Sequence, residues 1–429
     1  MPEHVEVPPA SSGAAESGPP EHTGAAVPDE PRLGRLGPLL LQANFGWMLA
    51  NAVSGILIPA LMEQVDADAK VALYGTLTSI GAVAALVANI VFGSLSDRTR
   101  SRFGRRNPWI LAGGVVASAS LSGISLTDSF GVMVALFVTF QIGLNAFLAP
   151  LAAVLPDRVP AARRGLASAL IGLGTLLAQS LGSVVGAAFL DDIRTGLRLV
   201  PWTIALAAVI FVVSGRDRSN RDEPREQLTV RELLATFRVP KDRDYLLALF
   251  GRLILLLAYY CVILYQLYIL QDYIDLEAKA VAGTIALSGT VAAVSSVLGT
   301  AISGPLSDRI GRRKPLVALA SLVIAAAFLP MIIAPSRSTF LFFIAIGGFA
   351  YGIYIAVDQA LMSDVLPNHQ HHGRDMGILN VANTAPNFIA PGITAIAFGT
   401  GIGYRGLFVI AAALAVLSAF LINAIRRVD

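Results

Sequence analysis

The chain has 429 residues, of which 55% are hydrophobic and only 14% are charged. In soluble domains about a quarter of all residues are usually charged, so this composition argues against a soluble protein and indicates a membrane protein. The formal net charge of +3 gives no reason to expect a nucleic-acid partner. The single cysteine, Cys261, lies in an apolar run, which excludes an intrachain disulfide and a cysteine-based metal site.

The chain begins with a polar segment rich in Pro, Ala, Gly, Ser and Glu. This segment has no apolar stretch and no basic residue before Arg32, whereas a secretory signal peptide needs both. Low hydrophobicity of this kind is typical of chains that do not fold. We expect residues 1–34 to form a disordered cytoplasmic tail.

Twelve apolar runs follow, each close to the 20 or so residues that span the hydrocarbon core of a bilayer. No run alternates with a period of two, so we expect helices and not a β-barrel. The predicted fold is an all-α membrane protein with twelve transmembrane helices, numbered here in chain order. The runs cover residues 39–61, 71–95, 108–127, 130–155, 165–190, 198–214, 244–270, 280–303, 315–334, 338–365, 376–400 and 403–425.

The distribution of basic residues predicts the orientation, because cytoplasmic loops carry the excess of Lys and Arg. With both termini inside, the inner loops hold 13 Lys and Arg residues and the outer loops hold 6, before the middle loop is counted. The long charged loop at 215–243 lies on the same inner side. We therefore expect a multi-pass protein of the cytoplasmic membrane with both termini in the cytoplasm.

One arginine-rich phrase occurs twice between apolar runs. "GSLSDRTRSRFGRRNPW" begins at Gly93 and "GPLSDRIGRRKP" begins at Gly304. Asp97 and Asp308 are 211 residues apart, and "AVLPD" and "DVLPN" are separated by the same offset. Two phrases at one offset indicate a duplicated six-helix unit with parallel copies, which is a transporter architecture. The predicted segments are a first half at 35–214, a linker loop at 215–243 and a second half at 244–429.

The repeated phrase resembles the loop motif of the major facilitator superfamily, which lies between helices 2 and 3 and again between helices 8 and 9. The resemblance covers roughly residues 35–427. It implies a carrier that works by alternating access, in which aspartate–arginine contacts latch the inner gate. Arginines just past a helix C-terminus are also favoured by the helix dipole and by the anionic inner leaflet of membrane lipid. The gate residues that the motif implies are Gly93, Asp97, Arg98, Gly104, Arg105, Arg106, Gly304, Asp308, Arg309, Gly311, Arg312 and Arg313.

The first copy of the motif is four residues longer than the second. Its "TRSRFG" insertion resembles the glycoside–pentoside–hexuronide cation symporters and the related sucrose-type carriers, which implies a sugar-like substrate. The chain departs from that branch at the cation site. Melibiose-type symporters carry carboxylates on helices 2 and 4, whereas runs 71–95 and 130–155 contain no Asp or Glu. Cation coupling at those positions is therefore in doubt.

The family resemblance implies a central cavity lined mainly by helices 1, 4, 7 and 10. Polar residues recur at helical spacing on these helices and on helix 11. Amides donate and accept hydrogen bonds and tyrosine rings stack on sugar faces, although hydrogen bonding between helices is the alternative role. The candidate substrate-binding residues are Asn44, Trp47, Asn51, Gln141, Asn145, Tyr259, Gln266, Tyr351, Tyr354, Asn380, Asn383 and Asn387.

Two charges lie inside the apolar runs of helices 7 and 10. Arg252 and Asp358 are each about eight residues from the inner end of their run, so both lie roughly 12 Å deep. Charges at matched depth either neutralise each other or exchange partners during transport, with Asp358 as a protonatable coupling group. The alternative for Arg252 is a side chain that extends to the inner surface.

The favoured function is a secondary transporter of a small polar solute, a sugar or a glycoside, coupled to protons and active as a monomer. One alternative is an exporter of a drug or natural product driven by proton antiport. Another is a membrane sensor that transports nothing. The sequence contains no catalytic triad, phosphate loop or metal cluster, so we expect neither an enzyme nor a cofactor.

Overall fold

A computed structural model of the chain describes residues 34–160, 163–215, 242–310, 312–365 and 385–426, with the further positions 217, 219–221, 240, 379 and 382. The expected tail, apart from Gly34, lies outside these residues. Every regular element within them is a helix. The helices are α1 (Leu36–Val65), α2 (Lys70–Arg98), α3 (Asn107–Ile124), α4 (Phe130–Arg158), α5 (Arg164–Ala188), α6 (Ile193–Leu199 and Trp202–Ser214), α7 (Arg243–Ile263), α8 (Ala278–Ile310), α9 (Lys314–Ile333), α10 (Arg337–Asp364), α11 (Pro386–Gly399) and α12 (Gly403–Asn423).

Ten of these helices are long and apolar enough to cross a membrane, by length and composition. The other two are α3, which has 18 residues and contains several serines, and α11, whose described part has 14 residues. In lipid a helix satisfies all of its own backbone hydrogen bonds. The chain is therefore a multi-pass membrane protein, and its all-α fold is confirmed.

Helix α6 begins earlier than its apolar run. The side chain of Asp192 accepts a hydrogen bond from the backbone N–H of Thr195 and caps a short first piece. The second piece starts at Trp202, directly after Pro201, a position where the missing N–H of proline costs no hydrogen bond of the helix. Run 6 is therefore a helix in two pieces.

The prediction of one continuous helix over residues 244–270 is wrong. Helix α7 ends at Ile263, and a short turn leads to a three-residue helix at Gln266–Tyr268 and a π-helical segment at Ile269–Tyr273. The chain has no Gly or Pro at this break. Tyr265 and Tyr268 instead pack edge-on against Tyr74 of α2, with ring centroids 5.4 and 6.3 Å apart. These tertiary contacts accompany the break, which helix propensity alone did not indicate.

The packing of the first six helices is repeated by the last six. Helix α1 packs on α5 and α6 as α7 packs on α11 and α12, and α2 packs on α4 as α8 packs on α10. Helix α3 contacts α4 and α6 as α9 contacts α10 and α12. The fold therefore consists of two six-helix pseudo-repeats, which we name the first set (α1–α6) and the second set (α7–α12).

Two helix pairs, α2 with α11 and α5 with α8, join the sets. We name the side that holds both arginine-rich motifs the motif face and the other side the opposite face. A Cβ atom at Gly75 of α2 would lie 3.2 Å from the Tyr265 hydroxyl and 3.3 Å from the carbonyl of Pro391, and one at Gly289 of α8 would collide with Ser183 of α5. These close contacts between the sets lie toward the opposite face.

The contact between α5 and α8 depends on small residues. A Cβ atom at Gly289 of α8 would collide with the side chain of Ser183 of α5. On the other side of α5, a Cβ atom at Gly182 or Gly186 would lie within 3.0 Å of α1. Small residues let helix backbones approach closely in a membrane, so α5 lies tightly between α1 and α8.

Candidate functional site

Arg252 of α7 and Asp358 of α10 form an ion pair inside the second set. The Nε atom of Arg252 lies 3.1 Å from Oδ2 of Asp358, and the two side chains are 5% and 2% exposed. The structure thus brings together the two charges that the sequence placed at the same depth on helices 7 and 10. Tyr354, one turn before Asp358 on α10, is also buried. Arg252 does not extend to the surface.

Three predicted tyrosines form an aromatic stack beside this ion pair. The rings of Tyr259 and Tyr351 are nearly parallel, at 5°, with centroids 4.7 Å apart. Tyr351 also stacks on Tyr354 at 6.4 Å. Tyr259 comes two turns after Arg252 on α7, and Tyr351 comes two turns before Asp358 on α10. We name these five residues the α7–α10 site.

Gln266 stays a predicted substrate contact, but the helical spacing that predicted it is interrupted. Its predicted position assumed that α7 continues beyond residue 263, but Gln266 begins the separate short helix after the turn at Leu264 and Tyr265. The helical period that aligns Arg252 with Tyr259 therefore does not extend to Gln266.

The polar residues of α1 bond partly to their own helix. Asn44 donates from Nδ2 to the carbonyl of Leu40 at 2.8 Å and accepts from Nε1 of Trp47 at 3.1 Å. Asn51 is exposed. The bonds of Asn44 therefore lie within α1 and not between helices, and Asn51 is the exposed one of the two predicted asparagines.

The predicted amides of α4 connect this helix to α2. Asn145 donates from Nδ2 to the carbonyl of Gln141 at 2.9 Å, and its Oδ1 accepts from Nδ2 of Asn89 at 3.1 Å. Asn145 is only 8% exposed. Sequence reasoning missed Asn89, although it is an isolated amide within an apolar run.

The structure gives no side-chain contacts for the three asparagines predicted on helix 11. Asn380 and Asn383 lie outside the described residues, and Asn387 lies in α11 with its side chain outside them.

The first arginine-rich motif is organised by Arg106. This side chain is 5% exposed and pairs with Asp97 at 2.6 Å and with Asp157 at 2.9 Å, while Nη1 donates to Oγ of Ser96 at 2.6 Å. Arg105 lies further from Asp157, at 3.9 Å. The expected pairing of Asp97 with a nearby arginine is thus present. Asp157 was missed, although it ends the repeated phrase "AVLPD".

The motif insertion holds the start of the middle loop. Nδ2 of Asn220 donates to the carbonyl of Thr99 at 2.9 Å, and its Oδ1 accepts from the backbone N–H of Ser101 at 3.0 Å. Gly104 has a φ of +81°, and a Cβ atom there would lie within 3.0 Å of three atoms of Asp217. The four-residue insertion therefore has a structural role in this fold.

Two further residues of the first motif lie in α2. A Cβ atom at Gly93 would meet no atom within 4 Å, so no described helix packs closely against α2 at this position. Arg98 is half-buried.

The second motif is described only in part. Arg309 and Arg312 are exposed and Arg313 is half-buried. Gly304 and Asp308 are described only as part of the helix backbone, and Gly311 lies outside the described residues.

Comparisons with known proteins agree with this architecture. The Major Facilitator Superfamily matches the chain over residues 40–303 and 269–429. "Multi-drug resistance efflux pump PmrA" of Streptococcus pneumoniae is 24% identical over 300 residues, which are 64% of this chain and 68% of the pump.

Solved structures are similar at lower identity. An inward-facing and occupied bacterial homologue of the human lysosomal transporter Spinster has a TM-score of 0.71 at 16% identity, over 93% of this chain and 98% of its own. A D-xylose–proton symporter has a TM-score of 0.66 at 17% identity, over 91% and 96%. These likenesses concern the fold. Since the family matches nearly the whole chain beyond its first 39 residues, this protein belongs to the Major Facilitator Superfamily.

Proposed function

We propose that the protein carries a small polar organic solute, a sugar or a glycoside, across the cytoplasmic membrane by alternating access, with transport coupled to protons. The observation that carries this proposal is the buried Arg252–Asp358 pair beside the stacked rings of Tyr259 and Tyr351. Charge inside a membrane protein is expensive and marks substrate or ion pathways.

Asp358 is the proposed proton carrier. As a carboxylate it neutralises Arg252; when it takes up a proton, the guanidinium loses its counter-charge and is available to a polar group of the solute. After release of the solute, the positive charge of Arg252 favours loss of the proton from Asp358. Such an exchange couples solute binding to protonation by mutual linkage.

The tyrosine stack is the proposed contact for the sugar ring. Tyr259 and Tyr351 present flat apolar faces and hydroxyl groups, which suits a solute with C–H faces and many hydroxyls. Asn51 is the proposed polar contact from the first set. Asn44, Trp47, Gln141 and Asn145 support the cavity wall in this proposal, since Asn145 bonds to Asn89 of α2 and the other bonds of these residues lie within their own helices. Asn380, Asn383 and Asn387 stay predicted contacts.

The motif face is the proposed cytoplasmic face, which places both termini and the loop at 215–243 in the cytoplasm. The proposed domains are the halves 35–214 and 244–429, with the tail at 1–34, and the transporter acts as a monomer. The close contacts between the sets at Gly75 and Gly289 lie toward the opposite face, which supports an inward-facing conformation. The aspartates and arginines of both motifs are the proposed latch of the inner gate in the outward-facing state. The contacts of Arg106 with Asp97 and Asp157 in this conformation lie within the first set, so in this proposal they position the motif.

An exporter of drugs or natural products driven by proton antiport is the second candidate. PmrA, which is described as an efflux pump, is a relative of this kind, but a relative at 24% identity is equally compatible with a sugar carrier. The same tyrosine stack suits a flat aromatic drug. A membrane sensor that transports nothing is a third outcome of the experiments.

Thermal stability of the purified protein separates these candidates. We would record melting in detergent with sugars, glycosides and amphiphilic aromatic cations, because a ligand at 100 times its Kd adds about 2.7 kcal/mol of stability. A shift with one class of sugar, weakened in Tyr351→Leu, supports the carrier. Shifts only with aromatic cations would replace it with the exporter. Melting shifts without any flux in proteoliposomes would indicate the sensor.

A matched variant shows whether the shift comes from the proposed site. Asp128→Asn changes an exposed carboxylate that pairs with Arg194 at the opposite face, away from the α7–α10 site. We expect this variant to respond to the ligand as the parent does. A loss of response in both variants would mean that the ligand does not bind at the tyrosine stack.

A further inference from the structure

A cluster of polar side chains connects the two sets at the opposite face. Glu63 and Lys70 belong to α1 and α2 of the first set, and Gln271 and Asp272 lie in the π-helical segment of the second set. Nζ of Lys70 lies 2.9 Å from Oε1 of Glu63 and 2.7 Å from Oδ1 of Asp272. Nε2 of Gln271 donates to Oε2 of Glu63 at 2.9 Å. Two of these three contacts therefore cross from one set to the other.

Each charge in the cluster also has a partner in its own set. Lys70 keeps Glu63, and Oδ2 of Asp272 accepts from the hydroxyl of Tyr404 of α12 at 2.7 Å. Separation of the sets breaks Lys70–Asp272 and Gln271–Glu63 but leaves Lys70–Glu63 and Asp272–Tyr404 in place. No charge is left without a partner, and an unpaired buried charge is the costly outcome when an ion pair breaks.

The burial of the cluster suits a contact that forms and breaks. The Lys70 side chain is 10% exposed, and the side chains of Glu63 and Asp272 are 33% and 34% exposed. Fully exposed pairs contribute little, and fully buried pairs are hard to separate. These residues lie between the two limits.

An aromatic layer lies beside the cluster. Nζ of Lys70 is 5.0 Å from the centroid of the Tyr268 ring, and the Tyr268 hydroxyl donates to the carbonyl of Pro59 of α1 at 2.8 Å. Tyr268 is fully buried. The break after α7 thus brings the aromatic ring and the two polar residues of the second set onto the first set together.

We propose that Glu63, Lys70, Gln271 and Asp272 form a reversible latch that holds the opposite face closed. The latch opens when Lys70 and Asp272 release each other, while Lys70 keeps Glu63 and Asp272 keeps Tyr404, each within its own set. This device concerns the equilibrium between conformations and does not depend on the substrate of the α7–α10 site.

Distances between spin labels test the latch without any substrate. Cysteines replace the exposed residues Asp68 of the first set and Lys279 of the second, in a Cys261→Ala background, and both carry nitroxide labels. A long distance between the labels reports the open state and a short distance the closed state. We expect Asp272→Asn and Lys70→Met to raise the ratio of the long-distance to the short-distance population by about tenfold, which corresponds to the loss of one hydrogen bond to a charged group. Lys70→Arg, which keeps the charge, should stay close to the parent.

Tyr404→Phe gives a test of opposite sign. In the open state Asp272 depends on Tyr404 alone, whereas in the closed state it also has Lys70. Removal of the hydroxyl therefore costs the open state more, and we expect the ratio of long to short distances to fall or stay at the parent value. If Tyr404→Phe raised this ratio as much as Asp272→Asn does, Tyr404 would not be the partner that holds Asp272 in the open state.

The matched control is the ion pair between Arg194 and Asp128, which joins the first piece of α6 to the loop between α3 and α4 within the first set. We expect Asp128→Asn to keep the parent distances. Parent distances in Asp272→Asn, or an equal shift in Asp128→Asn, would overturn the latch. Gel filtration and melting confirm that each variant is folded, and if Lys70→Met does not fold, Asp272→Asn decides the question alone.

Discussion

Nε of Arg252 lies 3.1 Å from Oδ2 of Asp358, and both side chains are almost completely buried. Removal of one partner of such a pair leaves an uncompensated charge, which typically costs 3–5 kcal/mol, whereas replacement of both partners is often nearly neutral. We therefore expect Asp358→Asn to lower the free energy of unfolding by about 3 kcal/mol. The double variant Arg252→Gln/Asp358→Asn should recover at least half of that loss, as measured by unfolding in detergent.

The control for this comparison of single and double variants is Asp128→Asn. Asp128 is 88% exposed, and exposed pairs contribute little to stability, so the unfolding curve should match that of the parent. Additive losses in the double variant would show that Arg252 and Asp358 do not stabilise each other.

Proton coupling through Asp358 gives a second prediction. An amide at position 358 cannot take up a proton, so Asp358→Asn should abolish uptake driven by a proton gradient. Exchange of labelled for unlabelled solute needs no net proton movement and should continue. Flux into proteoliposomes measures both. Proton-driven uptake at the parent rate would exclude Asp358 as the coupling group.

The stack of Tyr259 and Tyr351 gives a third prediction. Tyr351→Phe keeps the ring, whereas Tyr351→Leu removes it together with a contact worth about 0.5–1.5 kcal/mol beyond its buried area. Affinity for the transported solute should fall about tenfold in Tyr351→Leu and much less in Tyr351→Phe. Titration calorimetry on the purified variants measures both values. Equal losses would mean that the hydroxyl, and not the ring, is the contact.

Sequence periodicity predicted the parts of the site that lie within regular helices. Arg252 and Tyr259 share a face of α7, Tyr351 and Asp358 share a face of α10, and the structure joins the two faces. Depth could be read from residue counts because an α-helix advances 1.5 Å per residue. Repetition at a fixed offset likewise indicated the two sets.

Contacts between distant segments could not be predicted in this way. Helix α7 ends at Ile263 without Gly or Pro, where Tyr265 and Tyr268 pack against α2. The partners Lys70 and Asp272 are far apart in the sequence, and their helices gave no signal that they meet. Asp157 is different, since its repeated phrase marked the position without indicating its pairing with Arg106.

The charge cluster around Arg106 gives a fourth prediction. Asp97 is 57% exposed, whereas Asp157 is 25% exposed and accepts from both Nε and Nη2 of Arg106. Asp97→Asn therefore leaves Arg106 well paired, and we expect slower transport with little loss of solute binding. Asp157→Asn should also lower thermal stability. Parent transport rates in Asp97→Asn would argue against the proposed role of Asp97 in the gate.

The last prediction concerns the loop that carries the motif insertion. Gly104 has a φ of +81°, which L side chains rarely adopt, and a Cβ atom there would also collide with Asp217. Gly104→Ala should therefore expel the segment at 217–221 from the motif loop and destabilise the protein by about 1–3 kcal/mol. Hydrogen exchange should show faster exchange at the N–H of Ser101, which donates to Asn220.

Gly131→Ala is the matched control, because a Cβ atom at this position of α4 meets no atom within 4 Å and alanine favours the helix by about 1 kcal/mol over glycine. We expect its exchange pattern at residues 99–104 to equal that of the parent. Asn220→Ala provides the converse test, since it removes both side-chain bonds to the loop while Gly104 keeps its conformation. Faster exchange at Ser101 in Asn220→Ala, but not in Gly131→Ala, would attribute the order of the motif loop to the start of the middle loop. Unchanged exchange in both Gly104→Ala and Asn220→Ala would contradict that attribution.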